Sequence, residues 1–302
     1  MSETKKQHHV PRSYLRNFAK QEGKECRLYM QMKGNVAVHR VIVDNVAAAR
    51  NFYTIELIEN KYIWEEYYAT VIEPKMSETL RTLILNGMNC LVQTGSIILT
   101  DEIKVKMAMY MIVQLLRSRN TRSYEEGLRA NLEQKTIEQA KKIFSDMGME
   151  RAIKLIENYH VSDDLFKLTI MEATLNVEQI EKYMEVLLEK IWVVYRIDGD
   201  AEFITSDNPV MFMNRETLDV TPFKNGLKQN TTMIYYPISP RLLLALYSDR
   251  TMGGTITKFQ DQLLYINAKK DKRFIDNHNK KQKEQCDLQV FCYTEKILQD
   301  LN

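Results

Sequence analysis

Two adjacent histidines near the start of the chain are the first side chains that could carry chemistry. His8 and His9 precede Pro11, which opens a short amphipathic turn. An imidazole titrates near neutral pH, so either ring could act as a general acid or base, or bind a phosphate or a metal. The pair lacks the H-x-x-x-H and H-E-x-x-H spacings that indicate zinc. The alternative is a solvated pair beside a docking helix.

A second polar set lies near the end of a predicted helix. Gln114, Arg117 and Arg122 share one helical face, where they could converge on one anion. Arginine favours this reading because its planar guanidinium binds phosphate or carboxylate through two parallel hydrogen bonds. The alternative is that these cations complement the dipole at the end of the helix.

A third polar set interrupts two apolar runs at Ser206-Asp207-Asn208-Pro209. Asp207 could orient a histidine or coordinate a divalent ion, and Asn208 could donate a hydrogen bond. Ser206 lacks the G-x-S-x-G pattern of a nucleophilic serine. The alternative is a tight turn between two strands, because Asp and Asn readily bond to their own backbone.

The composition restricts the class of protein. The chain has 302 residues, 44% of them hydrophobic, and a formal net charge of +2, so any nucleic-acid surface must come from local patches. The four cysteines have no C-x-x-C spacing and predict free thiols in a reducing compartment. The apolar stretch 107–116 is too short to span a bilayer, and the N-terminus is polar. We therefore expect a cytoplasmic protein without membrane contact.

The hydrophobic periodicity predicts an α+β fold in one compact unit over residues 1–302. Residues 1–57 predict a short helix and a hairpin of strands 27–32 and 36–43. Residues 58–190 predict a helical block, in which Thr100 caps a helix that runs from Asp101 to Arg122. Residues 191–302 predict a mostly antiparallel sheet with strands at 191–197, 202–205, 210–213, 231–238, 242–247 and 288–293, and a helical stretch at 258–285.

The segment from Lys269 to Lys283 is the most basic part of the chain. It contains seven lysine or arginine residues and two acidic residues, Asp271 and Asp276. Such a run is usually a solvated face, but it is also the best candidate for contacts with a nucleic-acid backbone. A P-loop and a G-x-G-x-x-G motif are both missing from the sequence, which disfavours ATP- and dinucleotide-binding folds.

Five stretches in order resemble the bacterial family named "domain of unknown function 4238". The first is H-[HY]-x-P-x-x-Y-L-x-x-F, which together with the third, T-S-D-N-P-V, is the more specific. The others are Q-x-x-R-x-x-x-x-R, T-S-D-N-P-V, P-[IL]-S-P and an asparagine before the last strand. They match His8 to Phe18, Gln114 to Arg122, Thr205 to Val210, Pro237 to Pro240, and Asn279. The resemblance implies no established activity, but it implies that these distant polar residues form one cluster.

We therefore expect a phosphodiester-cleaving enzyme, a nuclease of the toxin or phage-defence kind, that acts on nucleic acid or a nucleotide. His8 would be the general acid or base, Asp207 would orient it, Arg117 would stabilise charge on phosphorus, and Asn208 would complete the catalytic group. The substrate-binding residues would be His9, Gln114, Arg122 and Asn279. The pattern assigns no metal ligands, although Mg²⁺ or another divalent ion is compatible with the chemistry. The alternatives are a non-catalytic nucleotide- or anion-sensing module and a purely structural polar network.

Overall fold

A computed structural model describes residues 6–157, 162–174, 176–221, 224–249 and 254–301. The fold is α+β, as the sequence predicts, with helices in the middle of the chain and strands toward both ends. The strands are β1 Lys6–His8, β2 Lys20–Glu22, β3 Glu25–Met32, β4 Val38–Ile42, β5 Ala48–Arg50, β6 Ile191–Asp198, β7 Thr205–Ser206, β8 Met211–Asn214, β9 Thr232–Ser239, β10 Leu242–Tyr247, β11 Gln262–Asn267 and β12 Gln289–Cys292.

The helices of the described residues are mostly short, and one is long. They are α1 Arg12–Leu15, α2 Ile63–Tyr67, α3 Glu73–Met88, α4 Asp101–Leu116, α5 Arg119–Asp146, α6 Glu150–Glu157, α7 Asp163–Thr174, α8 Val177–Leu188, α9 Lys272–Gln285 and α10 Glu295–Asp300. Thr100 caps α4 as predicted, since its Oγ1 accepts a hydrogen bond from the Ile103 amide at 3.3 Å. Among these helices, none is long and apolar enough to cross a membrane.

The strands form two five-stranded sheets and one two-stranded pair. One sheet has the order β11-β6-β10-β9-β8, and it is antiparallel except for the β11–β6 pair. The other has the order β2-β3-β12-β7, with β4 also paired to β3, so it joins strands from both ends of the chain. The third unit pairs β1 with β5. The predicted N-terminal hairpin is therefore confirmed as β3–β4.

The sheet with the order β11-β6-β10-β9-β8, which we call the main sheet, is buried on both faces, as strand β10 shows. Leu242, Leu244 and Leu246 point into the larger core, which also contains α4 side chains such as Met107. The alternate residues Leu243 and Ala245 point into a second core under α9. A continuous apolar run follows from this arrangement, because both faces of the strand are covered.

Two sequence predictions of elements in the C-terminal part of the chain were wrong. The predicted helical stretch 258–285 contains β11, whose residues Gln262–Asn267 pair in parallel with β6, and only Lys272–Gln285 is an α-helix. Asn267 forms a turn between β11 and the helix, since its Oδ1 accepts from the amides of Lys269 and Lys270. The parallel pairing with β6 is a tertiary contact, which local periodicity does not contain. The predicted strand 202–205 is also shorter and later, because only Thr205–Ser206 pairs with β12.

Tyr14 connects the N-terminal turn to both large sheets. Its hydroxyl lies 2.6 Å from the Pro237 carbonyl oxygen of β9, to which it donates, and 2.7 Å from the Thr205 hydroxyl of β7. Its ring stacks on Tyr236 with 5.2 Å between the centroids, and the side chain is fully buried. This contact fixes the segment that follows His8 and His9 against the sheets.

We predict that Tyr14→Phe lowers the free energy of unfolding by about 1–3 kcal/mol, because it leaves the buried Pro237 carbonyl without its donor. Urea denaturation measures the change. Tyr293→Phe is the matched control, since the Tyr293 side chain is exposed. Equal stabilities of the two variants would show that the Tyr14 hydroxyl does not anchor the segment.

Candidate functional site

The corner between α4 and α5 positions Arg117 and Arg122, the two arginines of the predicted site. The predicted helix from Asp101 to Arg122 was wrong, because α4 ends at Leu116 and α5 begins at Arg119. Ser118 makes the break, since its Oγ accepts a hydrogen bond from the Thr121 amide at 3.1 Å and so caps α5. The break turns the Arg117 side chain into the protein, where it is 3% exposed.

The Arg117 guanidinium binds three oxygens inside the protein. Nη2 donates to the His8 carbonyl at 2.7 Å and to Glu73 Oε1 at 3.0 Å, and Nε donates to the Tyr53 hydroxyl at 3.0 Å. The guanidinium carbon also lies 4.4 Å from the centroid of the Tyr68 ring. The void beside these groups has a volume of about 20 Å³, which is room for about one water molecule. Arg117 is therefore occupied by protein contacts.

The other two residues of this helical set also bind backbone carbonyls. Gln114 Nε2 donates to the His9 carbonyl at 3.0 Å, and Arg122 Nη1 donates to the Phe52 carbonyl at 2.6 Å. Together with Arg117, they tie α4 and α5 to the main chain of the N-terminal segment. The structure thus brings Gln114, Arg117 and Arg122 together with the two histidines, and each of the three side chains donates to a peptide oxygen.

The two imidazoles differ in burial, and both are uncharged at neutral pH. Burial, assisted by the charges of Arg12 and Lys6, lowers the pKa of His8 to about 4. Burial and the charges of Arg119 and Arg117 lower the pKa of His9 to about 3. His8 Nε2 and both ring nitrogens of His9 have no hydrogen-bond partner among the described residues. His9 is 2% exposed, whereas His8 is partly exposed.

Asp207 binds the chain between α9 and β12. Its carboxylate accepts hydrogen bonds from the amides of Asp287, Leu288 and Gln289 at 2.9, 2.7 and 3.0 Å. Burial raises the pKa of the carboxyl to about 6, although the three amide bonds act in the opposite direction. The side chain is 1% exposed, so both oxygens face the backbone and not a cavity.

Asn208 and Asn279 contact strand and helix groups in the same region. Asn279 accepts from the Ile204 amide at 3.0 Å and donates to the Glu202 carbonyl at 2.7 Å, so it substitutes for a neighbouring strand. Asn208 Nδ2 donates to Gln285 Oε1 at 3.2 Å. The Asn208 carbonyl accepts from Gln285 and, at 3.1 Å, from Gln282.

Sequence analysis missed the two glutamines of α9. Gln282 is fully buried and also donates to the Ser206 hydroxyl at 2.8 Å. The signal was present in the spacing, because Asn279, Gln282 and Gln285 recur every three residues and face the same turn. The prediction for this segment rested on its lysine and arginine residues and not on these amides.

The predicted residues thus form two groups that meet at the α4–α5 corner. One surrounds Arg117 and contains both histidines, and the other surrounds Asp207. Arg119 joins them by an ion pair with Asp287 at 2.9 Å, and Asn120 donates to the Gln285 carbonyl at 3.3 Å. Within the described part of the chain, no hydrogen bond connects His8 with Asp207, and no group of three acidic, histidine or cysteine side chains could hold a metal ion.

An open cleft with a volume of about 400 Å³ adjoins the second group. We call it the α5 cleft, because α5 forms one wall of it and α8, β8, Val220 and residues 225–227 form others. Its apolar lining includes Tyr183, Phe212 and Leu227. Its polar lining includes Asn120, Glu125, Asn208 and Gln285. The sequence did not predict this cleft, because its lining residues come from distant segments that no single sequence motif connects.

The basic segment lies along a separate groove with a volume of about 1,140 Å³. Lys269, Lys272, Lys280 and Lys296 line it together with the acidic residues Asp198, Asp200, Glu202, Asp276 and Asp300. Lys272 pairs with Asp276, and Lys281 pairs with Glu284 at 2.8 Å. The charges of the groove are therefore mixed, which is unlike the uniformly positive stripe that tracks a nucleic-acid backbone.

A family model described as "Protein of unknown function (DUF4238)" matches residues 6–296. The chain belongs to this family. Its description names no reaction, ligand or partner. Comparison with curated proteins found no match, and comparison with solved structures found none. Family membership therefore confirms the resemblance seen in the sequence, and it assigns no activity to the residues of the site.

We predict that Asp207→Asn lowers the free energy of unfolding by about 1–3 kcal/mol at neutral pH, since an amide nitrogen would then face backbone N–H donors. Urea denaturation measures the loss. Asp146→Asn is the control, because Asp146 lies exposed at the end of α5. A loss no larger than that of the control would contradict the anchoring role of Asp207.

His9 should make stability depend on pH. Its folded-state pKa of about 3 lies below the ordinary value of 6.5, so the unfolded chain takes up the proton first as the pH falls. The contribution is present above pH 6.5 and is lost toward pH 3. Urea denaturation of His9→Gln at about pH 7.5 and about pH 5.5 should show a smaller loss than the wild type. His39→Gln, at an exposed position, should keep the wild-type loss. Equal losses in His9→Gln and wild type would refute this.

Proposed function

We propose that the protein is a non-catalytic binding module whose small-molecule ligand occupies the α5 cleft. The observation that carries the proposal is that the polar residues bond within the protein and leave an open cleft beside them. Asp207 and Asn279 bond to the backbone, and Arg117 bonds to the His8 carbonyl, Tyr53 and Glu73, whereas the α5 cleft lies open beside them. The polar network then serves to hold the walls of the cleft.

The size and lining of the α5 cleft are those of a ligand site. Ligand pockets have volumes of about 300–1,000 Å³ and combine mainly apolar walls with a few placed polar groups. The cleft has about 400 Å³, aromatic walls and an amide pair, Asn208 and Gln285, whose mutual hydrogen bond limits their rotation. A site built in this way can select a ligand without large rearrangement.

The cleft does not favour the anion that the sequence suggested as a ligand. Among the described residues that line it, there is no lysine and no arginine. Arg117 and Arg122 point instead toward carbonyl oxygens of the N-terminal segment. A phosphate would therefore have no cation to bind in the cleft, and the ligand is best described as neutral.

A nuclease is the second candidate, and the state of His8 favours it. The imidazole of His8 is uncharged at neutral pH, and its Nε2 atom is buried without a hydrogen-bond partner among the described residues. These are the properties of a group that can accept a proton. Action on nucleic acid, a toxin or phage-defence role and a cytoplasmic location stay predictions within this second candidate.

We predict that Leu227→Trp abolishes retention of small molecules, because the larger side chain fills the α5 cleft. Purified protein is dialysed against the small-molecule fraction of a cell extract, and bound compounds are identified by mass spectrometry after denaturation. Leu85→Trp is the control, since Leu85 is 61% exposed and lies on α3. Wild-type protein that retains nothing beyond the level of Leu227→Trp would overturn the binding module.

If the second candidate is correct, wild-type protein cleaves single-stranded RNA or plasmid DNA, and His8→Ala reduces the rate by about 100-fold or more, the usual contribution of a general acid or base. Gel assays with Mg²⁺, Mn²⁺ or EDTA measure the cleavage. His39→Ala is the control, because His39 is exposed. Equal rates in His8→Ala and His39→Ala would remove His8 from the reaction.

A further inference from the structure

The α5 cleft contains two hydrogen-bond acceptors that the protein itself leaves unused. Asn208 is 5% exposed, and its Nδ2 atom donates to Gln285, but its Oδ1 atom receives no hydrogen bond from the described residues. Glu125 is partly buried, and its carboxylate has neither an ion pair nor a hydrogen bond with a described residue. Both residues line the open cleft, so a bound ligand can donate hydrogen bonds to these acceptors.

Partial burial also changes the pKa of the Glu125 carboxyl. It raises the pKa of the Glu125 carboxyl above its usual value, and no neighbouring cation reverses the effect. A ligand that donates hydrogen bonds to this carboxylate would therefore relieve a desolvation cost that already exists in the free protein. The cleft selects for donors on the ligand.

The walls of the cleft select for shape. Tyr183 and Phe212 supply aromatic surface, and Leu115, Leu116 and Val210 supply aliphatic surface around them. Flat heterocycles gain from such walls because each base has a π-face that stacks on aromatic side chains. The absence of lysine and arginine among the described lining residues leaves a phosphate without a partner.

We propose that the ligand of the α5 cleft is a nucleobase that carries an exocyclic amino group, with guanine the best fit. This inference rests on the proposed binding function. Guanine donates from N1–H and from its 2-amino group in parallel, which matches the two oxygens of the Glu125 carboxylate. The Asn208 Oδ1 atom is available to a further donor of the base or of the ribose.

Isothermal titration of the full chain with guanosine, inosine and uridine tests the ligand class. Inosine lacks the 2-amino group of guanosine, and uridine lacks an exocyclic amino group altogether. We expect guanosine to bind at least about tenfold more tightly than inosine, with uridine weaker still. Equal affinities for guanosine and uridine would overturn the proposal.

Glu125→Gln tests the role of the carboxylate, because the amide keeps the shape but replaces one acceptor by a donor. We expect guanosine affinity to fall about tenfold or more, and the preference for guanosine over inosine to disappear. Glu150→Gln is the control, since Glu150 is exposed on α6. Because Glu125 is only partly buried, circular dichroism should show that the variant folds. An unchanged guanosine affinity in Glu125→Gln would overturn the assignment.

The outcomes separate this inference from the proposed function. If no nucleoside binds but the dialysed protein retains another compound that Leu227→Trp does not, the ligand class is wrong and the binding module stands. If neither nucleosides nor extract compounds bind, both proposals fall. Binding of guanosine that survives Leu227→Trp would place the nucleoside outside the α5 cleft and would overturn the inference.

Discussion

The burial of the N-terminal segment depends on how its backbone oxygens are satisfied. The segment around His8 and His9 lies between α4 and the chain near Phe52, away from water, and each buried carbonyl there needs a donor. Arg117 donates to His8, Gln114 donates to His9, and Arg122 donates to Phe52. An arginine suits this place because it carries five donors and still leaves its charge paired with Glu73. The helix break at Ser118 is required to point this side chain inward.

Asp207 has the complementary role in the adjoining group. The chain that leaves α9 and enters β12 exposes three amides to the interior, and a carboxylate can accept all three. Asn279 and Gln282 likewise bond to backbone groups nearby, since Asn279 accepts from the Ile204 amide and Gln282 donates to the Asn208 carbonyl. The two networks meet through Arg119 and Asp287. Their combined effect is a rigid corner, and the α5 cleft is built on that corner.

Local patterns in the sequence predicted the parts of the fold that local chemistry determines. The Thr100 cap, the hairpin of β3 and β4, and the strand Leu242–Tyr247 are all present as predicted. The strand β11 was missed because its parallel partner β6 is 69 residues earlier in the chain, as in the pair Gln262 and Val193, and periodicity contains no such pairing. The break of the long helix has a local cause, the Ser118 cap of α5, which the sequence contains and the predicted helix did not include.

The candidate site could be predicted only in part for the same reason. The grouping of the histidines with Gln114, Arg117 and Arg122 is present in the structure, but the atoms in contact are backbone carbonyls, which a pattern of side chains does not show. The α5 cleft combines residues from four helices and a strand, and its most informative atoms are acceptors that lack a partner. An unpaired atom becomes visible only when the whole environment is known.

Hydrogen exchange of the Arg117→Lys variant tests most directly whether these side chains serve the backbone. Lysine keeps the charge but cannot reach the His8 carbonyl, the Tyr53 hydroxyl and Glu73 in the same planar arrangement. We expect faster exchange in peptides that cover residues 6–18 and 46–54, with little change in the main sheet. Unchanged exchange in those two peptides would contradict the account, because the segment would then be held without Arg117.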